Sequence, residues 1–173
     1  GAYFPANKEY ASELASISYK ISERMNEMGV RGRFGIDFMS RKITNGWEHF
    51  AIEINLRKGG TTHPYLMLQL LTNGHYDYKL GEYLMPNGQT RYYVATDAMI
   101  IQNLKKLTPA DLIDVVICNN LHFDGTTQEG IMFHLIGAVS QHGKLGILSI
   151  AKSLERAQEL YDKTTHVLNL ATA

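Results

Sequence analysis

Apolar residues recur in two stretches of the chain with the spacing of an amphipathic helix. The first set lies between Tyr10 and Met28, and a three-to-four spacing places its members on one helix face. Gly29 follows it directly and is typical of a helix C-terminus. The second stretch runs from Ser153 to about Leu168, with Ser153 as the N-terminal cap. We therefore predict helices at residues 10–28 and 153–168.

Between these helices the pattern changes to strict alternation, which is typical of half-buried strands. We predict an antiparallel pair at residues 33–39 and 50–57, joined by a hairpin at Asn45-Gly46. One face of each strand is apolar: Phe34, Ile36 and Phe38 in the first, and Phe50, Ile52, Ile54 and Leu56 in the second. The opposite face carries Asp37, Glu53, Asn55 and Arg57.

The rest of the chain mixes both periodicities. After a loop at 58–64 we predict a helix at 65–71 that ends at Asn73-Gly74, a strand at 90–96, a helix capped by Thr108, and strands at 130–139 and 145–150. This order indicates an α+β fold, an antiparallel sheet with flanking helices. We place a soft boundary near Asn120, so that residues 121–173 form a small α/β extension of the segment 1–120.

Composition narrows the range of functions. Seventeen basic residues balance seventeen acidic ones, which argues against a nucleic-acid partner bound through a broad basic face. Cys118 is the only cysteine, so no internal disulfide can form. Neither a membrane span nor a signal peptide is visible in the sequence, and we therefore expect a cytoplasmic protein without a membrane partner.

The polar face of the predicted hairpin carries the candidate chemistry. Pairing of the strands would bring Asp37 beside Glu53 and Asn55, and these hard oxygen ligands suit Mg²⁺ or Mn²⁺ better than zinc. Arg57 continues the same face, and its planar guanidinium suits a phosphate or a carboxylate. Spacing alone leaves two alternatives open: an ordinary solvent-facing strand, and a nuclease core of the type Asp…Glu-x-Lys. Asn55 stands where that core has its lysine, and the net charge is zero, so both features weigh against the nuclease.

Two motifs resemble a known family. Phe34-Gly35-Ile36-Asp37-Phe38 and Glu53-Ile54-Asn55-Leu56-Arg57 are similar to the last metal-binding hairpin of ATP-grasp ligases. The longer segment from Glu53 to Pro64 resembles the peptide ligases of the pheganomycin-biosynthesis type. Segments 130–135, 143–146 and 157–161 resemble the C-terminal extension of the same ligases. Residues 1–120 would then be the C-terminal subdomain of an ATP-grasp fold.

The resemblance implies an ATP-dependent ligase that joins a carboxylate to an amine through an acyl-phosphate. Asp37, Glu53 and Asn55 would hold Mg²⁺ (or Mn²⁺) on the ATP phosphates, and Arg57 would be catalytic. The phosphates would also be bound by Arg57, Lys58, Gly60 and Thr61. The substrates would be small-molecule or peptide acids and amines.

The resemblance also implies a missing part. The chain starts at Gly1, one helix before the hairpin, so the N-terminal ATP-grasp region that binds adenine would lie upstream. The chain alone would then be an inactive fragment, and its exposed sheet edges would favour a homo-oligomer.

The alternative from a different class is a non-catalytic packing or interaction module, with a metal-dependent nuclease third. His122, His134, His142 and His166 lack metal-ligand spacing, and we expect them at the surface or hydrogen-bonded in the core.

Overall fold

The computed structural model describes residues 1–172 and has an α+β architecture, as the sequence predicts. Its strands are β1 (Ala2–Phe4), β2 (Gly35–Ile43), β3 (Gly46–Asn55), β4 (His75–Asp77), β5 (Glu82–Leu84), β6 (Tyr92–Ile100), β7 (Gly130–His134) and β8 (Lys144–Ala151). Its helices are α1 (Lys8–Glu27), α2 (Thr62–Thr72), α3 (Pro109–Cys118), α4 (Ala138–His142) and α5 (Leu154–Ala171).

Four strands form the central antiparallel sheet, in the order β1-β6-β8-β7. Strand β8 lies inside this sheet and is buried along almost its whole length, because both faces are covered. Leu145 and Ile147 pack in a core with residues of α3 and α5, whereas Leu148 and Ile150 pack with α2 and β5. The alternation of β8 therefore divides its side chains between two cores.

The long hairpin β2–β3 forms a sheet of its own and rests on α1. The rings of Tyr10 and Trp47 meet edge to face, with centroids 4.7 Å apart. Ser40 Oγ and His49 Nδ1 share a hydrogen bond of 2.8 Å, and His49 Nε2 lies 3.3 Å from a carboxylate oxygen of Glu13. The Tyr10 and Glu13 contacts hold the hairpin against α1, and the Ser40 bond joins its two strands.

Local sequence chemistry explains the well-predicted elements. Thr108 and Asp111 form a capping box at the start of α3, and Ser153 caps α5 by accepting the amide of Arg156. Asn73 ends α2 in the left-handed conformation, which asparagine tolerates better than most residues. The bounds of α1, α2 and α5 match the predicted helices within a few residues, and α3 begins directly after its predicted cap, Thr108.

The predicted strand at 130–139 is wrong over its second half. Strand β7 ends at His134 because Leu135 takes a positive φ of 56°, and the chain then turns into α4. Val139 is buried, but it belongs to helix α4 rather than to a strand. The apolar run could not distinguish these alternatives, since a short buried helix and a buried strand look alike in sequence.

The predicted common apolar face of the second hairpin strand is also wrong. The register shifts between Asp37 and Phe38, where Glu53 and Ala51 are the successive partners, so Ile52 forms a β-bulge. Beyond the bulge, Phe50 pairs with Met39 and lies on the same face as Asp37. Ile52 is 62% exposed, and Ile54 and Leu56 are exposed as well.

The sheet takes β1 and β6 from residues 1–120 and β7 and β8 from residues 121–173. The division near Asn120 stays a prediction. Within residues 1–172 no helix has the length and apolar character needed to span a bilayer.

Candidate functional site

A cleft of about 400 Å³ lies where three parts of the fold meet. One wall is the open end of the β2–β3 hairpin. The second is the loop before α2 together with the first turn of that helix. The third is a row of residues across the central sheet, from β1 through β6 to His134 of β7. The predicted site residues Asp37, Asn55, Arg57, Gly60 and Thr61 all line this cleft.

The hairpin register brings the three predicted metal ligands together. Asp37 lies directly opposite Glu53, and Asn55 is the partner of Gly35, two residues before Asp37. The amide nitrogen Nδ2 of Asn55 donates a hydrogen bond of 3.2 Å to Oδ2 of Asp37. This bond leaves the amide oxygen of Asn55 free to act as a ligand.

The donor set fits a hard divalent cation. It consists of two carboxylates and one amide oxygen, and no cationic side chain forms an ion pair with either carboxylate among residues 1–172. The same stretch holds no cluster of three or more His, Cys, Asp or Glu residues arranged for a metal. A bound ion would therefore depend on Asn55, on water or on substrate oxygens for the rest of its shell.

Two predicted residues lie outside the cleft wall. Glu53 faces Asp37 but does not line the cleft, and Lys58 is exposed, with its backbone carbonyl accepting a bond of 3.3 Å from the Arg57 guanidinium. The side chain of Arg57 is thus held near the mouth of the cleft by its own loop.

The loop before α2 is open on the cleft side. The Gly59 amide donates to the Thr62 hydroxyl at 3.1 Å, and the Thr62 amide donates back to the Gly59 carbonyl. A Cβ atom built at Gly59 or Gly60 would meet no other atom within 4 Å, and neither residue has a positive φ. The fold of the described chain therefore does not itself require glycine at these two positions.

The sequence pattern does not indicate the sheet side of the cleft, which is formed by Thr96, Asp97 and His134. His134 differs from a surface histidine and from a fully hydrogen-bonded core histidine. Its Nε2 atom is buried and has no hydrogen-bond partner among residues 1–172. Its ring lies 4.7 Å from the ring of His63, centroid to centroid. No spacing in the sequence indicates this pair, because 70 residues separate them in the chain.

A second cavity of about 450 Å³ adjoins the cleft and shares Phe34, Thr61 and Thr62 with it. Four of its eleven lining residues are aromatic, and the guanidinium of Arg33 lies 5.9 Å from the centroid of the Tyr65 ring. Each of the two adjoining cavities thus has one arginine in its wall, Arg57 in the cleft and Arg33 in the second cavity.

Comparison with known proteins supports the resemblance drawn from the motifs. Residues 111–164 match the family described as the PGM1 C-terminal domain. Over 157 residues, 91% of this chain, the sequence is 27% identical to the L-propargylglycine–L-glutamate ligase of Streptantibioticus cattleyicolor. The match covers 32% of that protein, so the chain spans about a third of the length of this curated relative. No solved structure is significantly similar to the chain. The resemblance to ATP-grasp ligases that the motifs predict is confirmed by these matches.

Proposed function

We propose that this chain is the C-terminal part of an ATP-dependent ligase that joins a carboxylate to an amine through an acyl-phosphate. The observation that carries the proposal is the convergence of Asp37, Asn55, Arg57 and the Gly60-Thr61 loop on one cleft. Similarity to a named ligase over 91% of the chain supports the reaction class.

In this proposal the hairpin and the loop bind opposite ends of the phosphate chain. Asp37, Glu53 and Asn55 hold Mg²⁺ (or Mn²⁺), which supplies charge neutralisation for the phosphoryl oxygens of ATP. Arg57 donates hydrogen bonds to the transferring phosphoryl group or to the acid, as the catalytic residue. Lys58 adds a positive charge at the entrance.

The glycines of the loop fit the same proposal. Since the fold does not require glycine at residues 59 and 60, close approach of a ligand to the backbone is a physical reason for the missing side chains. The backbone N–H groups and the Thr61 hydroxyl then face an anionic group.

The exposed apolar residues of the hairpin favour a second element of the proposal. Met39, Ile52 and Leu56 are each about 60% exposed, which is unusual for large apolar side chains grouped on one hairpin. We propose that the N-terminal ATP-grasp region packs here in the complete ligase. The non-catalytic module, in which this surface serves only to bind a partner, is the competing interpretation.

The test uses the protein as its gene encodes it, with ATP, Mg²⁺ and a panel of amino acids as acids and amines. L-glutamate and apolar L-amino acids come first, because the related ligase is named for such a pair. We expect ADP release and an amide product that depend on both substrates. Glu53→Gln should lower the rate by about 100-fold or more, the size of effect seen when one electrostatic contact to a transition state is removed.

The matched control is Glu48→Gln, because Glu48 lies on the same hairpin and pairs with Arg41 away from the cleft. It should leave the rate within about twofold, as a surface change remote from the chemistry does. Full activity of Glu53→Gln would contradict its role in metal binding. Absence of any ATP-dependent product with the unsubstituted protein would contradict the ligase proposal and favour the non-catalytic module.

A further inference from the structure

The sheet side of the cleft is shaped by a β-bulge and a glycine. The pairing of β6 with β8 shifts between Thr96 and Met99, so Asp97 and Ala98 lie together opposite Gly146. On the other side of Gly146, His134 of β7 is its direct partner. Bulges re-aim side chains next to functional sites, and this one places Asp97 at the cleft beside His134.

Gly146 makes room for the His134 ring. A Cβ atom at residue 146 would overlap the ring atoms Cε1, Nδ1 and Nε2, so any side chain there would displace the imidazole. Because the φ of Gly146 is not positive, backbone geometry does not require glycine at this position. The missing side chain instead leaves space for the His134 imidazole at the cleft.

The imidazole of His134 is neutral, and its Nε2 atom is free to accept a hydrogen bond. Burial lowers the pKa of His134 below the ordinary histidine value, and the neighbouring His63 lowers this pKa further. Asp97 and the Thr96 backbone oppose the shift without reversing it. Nε2 has no hydrogen-bond partner among the described residues. In the tautomer that carries its proton on Nδ1, the lone pair of the neutral ring is on Nε2.

The groups around this ring differ in charge from those across the cleft. His63 faces it from the start of α2, Asp97 faces it from β6, and β8 contributes the uncharged Gly146. Across the cleft, Arg57 and the glycine loop suit an anion, and Asp37 of the hairpin is the proposed metal ligand. A cationic ammonium group is therefore favoured on the sheet side, and a phosphate or carboxylate on the loop side.

We propose that Asp97 and His134 form the binding site for the amine substrate, with Asp97 attracting its ammonium group and His134 Nε2 accepting a proton from its nitrogen. The inference rests on the ligase function proposed above. The occupant is a primary amine, such as the α-amino group of an amino acid or a peptide. His63, which is exposed and packed on the His134 ring, is the side chain that turns aside to admit it.

The ammonium group first gives one proton to Nε2 of His134, which frees the lone pair of the nitrogen. The neutral nitrogen then attacks the carbonyl carbon of the acyl-phosphate and forms the C–N bond. The C–O bond to phosphate breaks, and the phosphate leaves with the bonding electrons and takes up the second proton that the nitrogen loses. The imidazolium returns its proton to the solvent. Such base catalysis typically contributes about 10²–10⁴-fold to a rate.

The test compares two nucleophiles in the protein as its gene encodes it. Hydroxylamine is largely unprotonated at neutral pH and needs no base, so it traps the acyl-phosphate as a hydroxamate. In His134→Gln we expect hydroxamate formation within about threefold of the unsubstituted rate, and amide formation with the amine substrate lowered by about 100-fold or more. Asp97→Asn should raise the KM for the amine and leave hydroxamate formation unchanged. The control His166→Gln changes an exposed histidine of α5 and should alter neither reaction.

The pH profile gives an independent readout. A base acts when neutral, so amide formation should fall as the pH drops through the lowered pKa of His134, below the ordinary histidine range. The hydroxylamine reaction should fall in acid only as hydroxylamine itself becomes protonated, and this fall should be the same in His134→Gln as in the unsubstituted protein. Gly146→Ala, which displaces the ring, should reproduce the His134→Gln pattern.

Three results would overturn the inference. They are normal amide formation by His134→Gln, an equal loss of both reactions in a variant that still folds by circular dichroism, and an unchanged KM for the amine in Asp97→Asn. A protein that yields neither hydroxamate nor amide without substitution would overturn the ligase proposal itself, and this inference with it.

Discussion

Replacing Asp37 by asparagine separates a metal site from an ordinary polar strand face. Asp37 and Glu53 are directly opposite each other on the hairpin, and like charges in that position destabilise a strand pair by about 0.2–1 kcal/mol. Asp37→Asn removes this repulsion and keeps an oxygen that can accept the Asn55 amide. Without metal, the variant should therefore be as stable as the unsubstituted protein or slightly more stable.

Added Mg²⁺ should reverse this order. At a free concentration ten times the Kd, binding to the folded state alone stabilises a protein by about 1.4 kcal/mol. For a chain of this length, each kcal/mol raises Tm by about 2–4 °C, so the expected rise is about 3–6 °C. Asp37→Asn should lose most of it, because one of the two anionic ligands is gone.

The assay is thermal unfolding followed by circular dichroism, with Mg²⁺ titrated at constant ionic strength and the Kd measured by calorimetry. Glu48→Gln is the matched control and should keep the full rise, because Glu48 is bound to Arg41 on the far part of the hairpin. An equal Mg²⁺-dependent rise in Asp37→Asn and the unsubstituted protein would refute the convergence of these ligands on one ion. So would the absence of any rise in the unsubstituted protein.

Two further predictions concern the scaffold. Leu148→Ala should lower the free energy of unfolding by about 2–5 kcal/mol in urea titrations, because Leu148 is fully buried in the centre of the sheet; Leu70→Ala, at a leucine that is 84% exposed, should change it by less than about 0.5 kcal/mol. Hydrogen bonds from the Thr108 backbone and hydroxyl hold the pKa of Asp111 below its ordinary value. The stability that this carboxylate contributes is therefore fully present above the carboxyl pKa of the unfolded chain. It is lost as the pH falls through the lower pKa of the folded protein. The urea midpoints of Asp111→Asn and the unsubstituted protein should accordingly differ at neutral pH and converge in acid; a constant difference would contradict the capping role.

Helices and turns could be predicted because their determinants are local. The capping residues Thr108 and Ser153 and the left-handed Asn73 act within one turn of the backbone, so their effect is visible in a few adjacent letters. The short strands β1, β4 and β5 were not predicted. Each has three residues, and its existence depends on a partner or a packing surface that no local pattern describes.

The hairpin side of the candidate site could be anticipated in part, since Asp37 and Asn55 lie on two strands joined by a tight turn and Arg57 follows the second strand. The register set at the Asn45-Gly46 turn would pair Asp37 with Ile52, and the β-bulge at Ile52 places Glu53 opposite Asp37 instead. Glu53 shows the limit of this reasoning. Pairing places it opposite Asp37, but pairing does not say that Asp37 and not Glu53 lines the cleft.

Neither side of the cleft follows from alternation alone, because the hairpin and the central sheet each contain a β-bulge that alternation does not record. The bulge at Ile52 reverses the faces of β3 beyond it, so the apparently continuous apolar face of 50–56 is divided between two surfaces. The bulge at Asp97 and Ala98 turns a carboxylate toward the cleft at the point where the predicted strand ended. Each bulge adds one residue to one strand. It hardly alters the sequence pattern, but it changes the direction of every side chain after it. One bulge lies in the hairpin and the other in the sheet, and both are next to the same cleft. Periodicity therefore predicts the scaffold well and fails at the place where the proposed chemistry occurs.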